Sequence, residues 1–253
     1  MRTAPAAPPP APLAIRAWLR YDVVARVLKG LRPATVLEIG CGQGAFGSRL
    51  AGSVDYLGLE PDPNSFAVAQ ARIEPRGGTV INGTHEAAPD GRRYDLVCAF
   101  EVLEHIEDDK AALAEWIRFV KPGGHLVLSV PAFQERFGPM DEHAGHFRRY
   151  EPAQLSGLLL AAGLNDVSVT TYAWPLGYAL EAVRNRIDAK KLATAAAAGT
   201  PIEQLTAASG RTFQPSRKLS GRAIQAATKP FRLAQRIRPN RGTGLVAVAK
   251  LPA

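Results

Sequence analysis

Thr35–Gly47 reads TVLEIGCGQGAFG, and the rest of the chain is organised around it. Val36, Leu37 and Ile39 form a short apolar run of strand-forming residues, and Gly40-Cys41-Gly42-Gln43-Gly44 follows at once. A buried strand that runs into glycines and then into a helix start at Ala45 and Phe46 makes a sharp turn against a ligand. Glycine suits such a turn because it reaches positive φ and carries no Cβ to hold a ligand away. The helix start adds unpaired N–H groups. Glu38 lies inside the strand end, where a carboxylate in an apolar run needs a cationic or hydrogen-bonding partner. Gly42–Gly47 also fits the dinucleotide pattern GxGxxG, which alone discriminates little.

The chain downstream decides. Tyr56-Leu57-Gly58-Leu59 is a second strand that ends on an acid, Glu60, at the ribose-binding distance common to both readings. Tyr94–Phe100 (YDLVCAF), Glu101–His105 (EVLEH) and Val120–Leu128 (VKPGGHLVL) then follow in that order. The series resembles the class I S-adenosylmethionine-dependent methyltransferases, especially the ubiquinone-biosynthesis-like small-molecule O-methyltransferase branch. The resemblance covers residues 33–172 and the last strand. It implies S-adenosyl-L-methionine as cofactor, bound at Glu38, Gly40, Gly42, Gly44 and Glu101, with Glu60 accepting from the two ribose hydroxyls. It places the adenine beside Gly83-Thr84-His85-Glu86. Related enzymes often carry an Asp there; this chain has Thr84, so a backbone contact near Thr84 and His85 is expected.

Apolar periodicity extends the picture. Strands at 79–82, 95–100, 125–130, 166–171 and 245–250 alternate with helices at 13–31, 65–73 and 152–162 and one after 105, with Asp62 or Asn64 able to cap the second. The expected fold is α/β: a Rossmann-like, seven-stranded, mostly parallel sheet with helices on both faces and a helical insert before the last, antiparallel strand. Ligands of such sheets bind beyond the carboxyl ends of the strands, where all these motifs fall. The expected organisation is a disordered Pro/Ala-rich tail (1–12), a core (13–174), a basic helical insert (175–243) and the final strand (244–253). Trp18 and Tyr21 belong to a leading helix packed on the sheet; in the family such helices often also close over the cofactor.

Glu101, Glu104 and His105 are spaced i, i+3, i+4, so a helix beginning there would put them on one face. Two carboxylates and an imidazole suit a divalent ion. A fourth ligand could come from the loop Asp141–Tyr150, where His146 is placed like the histidine of metal-using relatives. In those, Glu-x-x-Glu-His and the loop histidine hold magnesium or a similar ion. The expected metal set is therefore Glu101, Glu104, His105 and His146 with magnesium, manganese or zinc, lowering the pKa of an acceptor hydroxyl. In the metal-free reading Glu101 lines the cofactor, Glu104 caps a helix, and His105 or His146 is a catalytic base or orienter. His143 is read as a polar loop residue. Arg148 and Arg149 either bind an anionic acceptor or pair with Glu142 and Glu151.

Composition narrows the setting. A chain of 253 residues that is 46% hydrophobic and 21% charged is soluble and globular in type. Cys41 and Cys98 both sit in apolar strands, so no disulfide framework is implied. No apolar run approaches the roughly 20 residues of a membrane span, and Arg2 has no hydrophobic stretch behind it. The expected location is cytoplasmic. Residues 175–243 hold 13 Lys/Arg against 3 acids, a charge of +10, which leaves the remainder at −2 within the total of +8.

Helices in the insert are expected at 180–192, 202–208 and 219–238. Leu219, Ala223, Ile224, Ala227 and Phe231 can share a face among Arg217, Lys218, Arg222, Lys229 and Arg232, which suits peripheral contact with an anionic membrane or a lipid-linked acceptor. Few aromatic residues (Tyr178, Phe213, Phe231) argue against nucleic acid. A helical cap or homodimer face is the third use of the insert. The expected function is methyl transfer to oxygen of a small-molecule or lipid- or glycan-linked acceptor. The alternatives are a metal-dependent RNA-terminal methyltransferase and a non-catalytic S-adenosylmethionine-binding module.

Overall fold

The computed structural model describes residues 10–197 and 218–253. Its centre is a seven-stranded sheet of Thr35–Ile39 (β1), Asp55–Glu60 (β2), Thr79–Asn82 (β3), Tyr94–Phe100 (β4), Val120–Pro131 (β5), Asn165–Ala173 (β6) and Gly242–Lys250 (β7). The order is β3-β2-β1-β4-β5-β7-β6. β1 to β5 pair in parallel, and β7 runs antiparallel between β5 and β6. This is the expected fold, with the last strand inserted beside β5. The parallel half reverses its winding between β1 and β4, which opens a crevice at their carboxyl ends.

Successive strand residues face opposite sides, so two apolar layers form. Leu37, Leu57, Val97, Leu126 and Ala247 face Asp109–Ile117 (α4) and Pro152–Ala161 (α6), which contribute Leu113, Trp116, Leu155 and Leu159. Val36, Tyr56, Leu96, Val127 and Val246 face Ile15–Leu31 (α1) and Pro63–Ile73 (α3), through Leu19, Val23, Ala69 and Ile73. Asp62 caps α3, its carboxylate accepting from Ser65 N–H at 2.8 Å. Cys41 and Cys98 are buried and free.

Several local expectations change. The helix after the glycines is one turn, Gly47–Leu50 (α2), so it offers no extended helix terminus to a ligand. Glu101, Glu104 and His105 share no α-helical face. Glu101 takes φ 58° to leave β4, Leu103–His105 is a single 3-10 turn, and α4 starts only at Asp109 behind the cap Asp108. The stretch 131–150 holds a short helix, Pro139–Ala144 (α5). Of the tail, Ala11 is buried and donates its N–H to Ser48 Oγ at 3.2 Å.

The insert is integrated into the core. Leu176–Ala197 (α7) packs on α5, β6 and β7, and Lys218–Ile237 (α8) lies on α1 and β6. The helix expected at 202–208 lies outside the described residues. Among the described residues no helix is long and apolar enough to cross a membrane.

Candidate active site

The glycine loop leaves β1 through Gly40, Gly42 and Gly44, at φ 68°, 55° and 72°. The last two have different surroundings. A Cβ at Gly44 would stand 2.8 Å from Ile73 Cδ1, so this glycine lets α3 approach. A Cβ at Gly42 would meet nothing within 4 Å, so this position is open towards the crevice. Beside it ends β2: Glu60 Oε2 accepts from Gly42 N–H at 2.7 Å and Oε1 from Asp62 N–H at 3.0 Å. Each oxygen keeps acceptor capacity for a further donor, as two vicinal hydroxyls require. Burial pushes the Glu60 pKa up, against the two backbone N–H groups. Open backbone beside a buried two-oxygen acceptor fits the ribose and methionine parts of S-adenosylmethionine.

Glu38 has found its partner, and it is not a cation. Its Oε2 accepts from Tyr56 O–H at 2.5 Å, and burial raises its pKa to about 8. His85 is half-buried in a 3-10 turn, lining a hollow of about 450 Å³ with Glu86, Ala88, Arg92, Arg93 and Phe119. No glycine-loop residue lines that hollow. An edge-to-face aromatic chain ties α1 to the loop: Trp18–Tyr21, Tyr21–Phe46 and Phe46–Phe100, with centroids 5.8, 6.0 and 4.6 Å apart.

At the end of β4 the expected four-residue set divides. Glu104, His105 and His146 each offer one ligand atom within 4.8 Å of the others. His146 Nε2 stands 3.9 Å from Glu104 Oε1, and the two imidazoles meet edge to face at 4.6 Å. Glu104 is fully buried, and neither carboxylate oxygen has a hydrogen-bond partner among the described residues. Burial, and then the charge of Glu101, raise its pKa well above the ordinary value. An orphaned buried carboxylate facing two imidazoles fits a divalent cation. The surrounding protein, and then His146, draw the His105 pKa down, which favours the neutral ligand form.

Glu101 stands beside this group without joining it. Its carboxylate accepts from Ser129 Oγ at 3.0 Å and Tyr172 O–H at 3.1 Å, with Arg20 and Arg16 at 3.4 and 3.7 Å. Burial alone would raise its pKa, but Arg16, Arg20 and the Ser129 hydroxyl outweigh that and hold it at about 2. The left-handed backbone at Glu101 causes the separation, because it breaks the helical spacing from Glu104.

The loop arginines pair elsewhere than expected. Arg149 is buried against Asp141 and Glu181, while Arg148 pairs with Asp109 at 2.9 Å. His143 is buried, 3.8 Å from Asp188. Sequence reading gave no role to Arg16, Arg20, Tyr172, Asp141 or Glu181. For the arginines, i, i+4 spacing on the leading helix was the available signal.

A Rossmann-like sheet with an open glycine turn, a buried acid at the end of β2 and a polar cluster beyond β4 is the class I methyltransferase architecture. The methyltransferase domain model matches residues 14–169, and the chain belongs to that family. It is 39% identical over 108 residues to a ubiquinone biosynthesis O-methyltransferase of Azorhizobium caulinodans, covering 41% of this chain and 42% of the relative. To the enzyme of the same name from Methylobacterium nodulans it is 30% identical over 168 residues, 58% and 66% of the two chains. The chain spans about half the length of the curated relatives it matches.

Two solved structures share the fold. One is the N-methyltransferase NodS of Bradyrhizobium japonicum with S-adenosylhomocysteine (TM-score 0.57, 16% identity, 92% of this chain and 86% of that one). The other is the Haemonchus contortus phosphoethanolamine N-methyltransferase 2 with S-adenosylmethionine (0.56, 18%, 92% and 53%).

Proposed function

We propose that this chain transfers a methyl group from S-adenosylmethionine to an oxygen of a small-molecule or lipid-linked acceptor. The observation that carries the reading is Glu60 closing on the Gly42 backbone where a side chain would meet open space. The O-methyltransferase names of the relatives favour oxygen as the acceptor atom.

S-adenosylmethionine supplies a sulfonium methyl for in-line displacement. Glu60 and the glycine loop fix its ribose and amino-acid parts, and the aromatic chain from Trp18 to Phe100 screens that end from water. Arg16 and Arg20 place two guanidinium groups beside Glu101, where an anionic group can be received. Glu104, His105 and His146 would hold magnesium, manganese or zinc, which would supply a Lewis acid to lower the pKa of an acceptor hydroxyl. Without an ion, His105 or His146 takes the acceptor proton. The protein works in the cytoplasm, with peripheral contact to anionic membrane through α8.

The test is calorimetry followed by labelled transfer. S-adenosylmethionine and S-adenosylhomocysteine are expected to bind and NADH not; binding of NADH alone would overturn the reading. Mass spectrometry of a cell extract incubated with enzyme and methyl-labelled cofactor then identifies the acceptor. Exhaustive chelation is expected to abolish transfer, with magnesium, manganese or zinc restoring it. Full activity after chelation removes the metal and leaves the histidines as bases.

A further inference from the structure

A buried line of charge runs from the site into the insert. His146 Nδ1 lies 2.8 Å from Asp141 Oδ1. Arg149 Nε donates to both Asp141 oxygens at 2.9 Å, and Nη2 donates to Oδ2 at 2.7 Å. Arg149 Nη1 reaches Glu181 Oε2 at 3.0 Å, and Glu181 Oε1 pairs with Arg136 at 2.7 Å. The side chains of Asp141 and Arg149 have no exposure, and that of Glu181 has 4%.

Removing these charges from water is costly, and an apolar replacement often stabilises as well or better. Stability alone is therefore a poor account of the line. Its far end is one oriented imidazole. An ionised Asp141 can only accept, so Nδ1–H donates to it, and in the neutral ring this leaves the lone pair on Nε2, the atom 3.9 Å from Glu104 Oε1. A carboxylate on the second ring nitrogen is the arrangement that fixes the tautomer and orientation of a ligating histidine. Here the carboxylate is itself locked at both oxygens by a guanidinium, and Glu181 holds that guanidinium from the other side.

We propose that Glu181 of the insert helix α7 is a positioning residue for the site: through Arg149 and Asp141 it holds His146 with Nε2 turned to Glu104 and His105. The inference rests on the reading of those three residues as the reaction centre. It makes α7 a structural part of that centre.

The test uses the full chain saturated with S-adenosylhomocysteine. Manganese affinity is read by electron paramagnetic resonance, cofactor affinity by calorimetry and the His146 tautomer by nitrogen-15 NMR. Wild type is expected to show the Nδ1–H tautomer. Glu181→Ala and Asp141→Asn are expected to weaken manganese about 10- to 100-fold while leaving cofactor affinity unchanged. Arg149→Lys is expected to weaken manganese in the same way, since one ammonium cannot reproduce the paired contacts to Asp141 and Glu181.

Unchanged manganese affinity and tautomer in Glu181→Ala would overturn the proposal. So would a parallel loss of manganese and cofactor, the mark of a purely structural staple. Should wild type bind no manganese, the metal reading fails by itself and the tautomer decides: its retention in Glu181→Ala overturns the positioning role, its loss supports it. If Glu181→Ala does not fold, Glu181→Gln carries the same measurements.

Discussion

Gly42 and Glu60 make opposite demands on a substitution. At Gly42 a larger side chain enters open space, so Gly42→Val is expected to fold, at a local cost from φ 55°, and to lose S-adenosylmethionine binding. Glu60→Ala removes charge-assisted acceptors and is expected to weaken S-adenosylmethionine and S-adenosylhomocysteine alike by about 1–3 kcal/mol. Calorimetry on both variants checks this; unchanged affinity in Glu60→Ala would place the ribose elsewhere. Glu38 predicts a pH effect. Its folded pKa of about 8 lies above the ordinary 4.5, so the folded state holds an extra proton between those values. Its contribution is therefore fully present below the lower value and is lost as pH rises through the upper one. Between pH 5 and 8.5 wild type should lose stability relative to Glu38→Gln in urea unfolding; parallel profiles would contradict the burial account.

At the scale of elements, α8 is docked by polar contacts as much as by apolar ones. Gln235 Oε1 accepts from Ala173 N–H at 2.9 Å, and its Nε2 donates to Leu19 carbonyl oxygen at 3.0 Å, joining α8 to β6 and α1 in one buried bridge. Arg236 Nε donates to Asp22 at 3.1 Å, and Phe231 packs on the apolar cluster that includes Leu19 and Val23. Gln235→Ala leaves the buried Ala173 N–H without its acceptor and removes the bridge to α1, and a loss of about 1–3 kcal/mol is expected in urea unfolding. A loss within error would mean that α8 is not seated as described. Because α1 carries Arg16 and Arg20, the same variant is expected to weaken cofactor binding as well.

For the whole molecule, the basic segment is not uniformly a surface. Phe231 of the anticipated membrane face is half-buried, Arg232 lies over the Trp18 ring, and Arg236, though exposed, pairs with Asp22. Among the described residues of α8, Leu233 and Ile237 are the exposed large apolar ones, close in sequence to Lys229, Arg238 and Arg241. If this is the membrane contact, the protein should float with phosphatidylglycerol vesicles and release at high salt, and Leu233→Glu with Ile237→Glu should abolish flotation without loss of fold. Flotation unaffected by the double change would remove α8 from that role.

The sequence by itself determined the sheet, the glycine turn, the acid that ends β2 and the approach of His105 and His146 to Glu104. Those follow from local rules: apolar period, glycine chemistry and the order of motifs along the chain. Glu101 shows where such rules stop, since a helix assumed from i, i+4 spacing gave way to one left-handed residue. Asp141, Arg149 and Glu181 show it at longer range. No spacing relates a loop acid, a loop arginine and an insert acid 40 residues on from Asp141. Only tertiary structure decided that they meet, because α7 must bury its inner face against α5 and a buried charge must find its partner there.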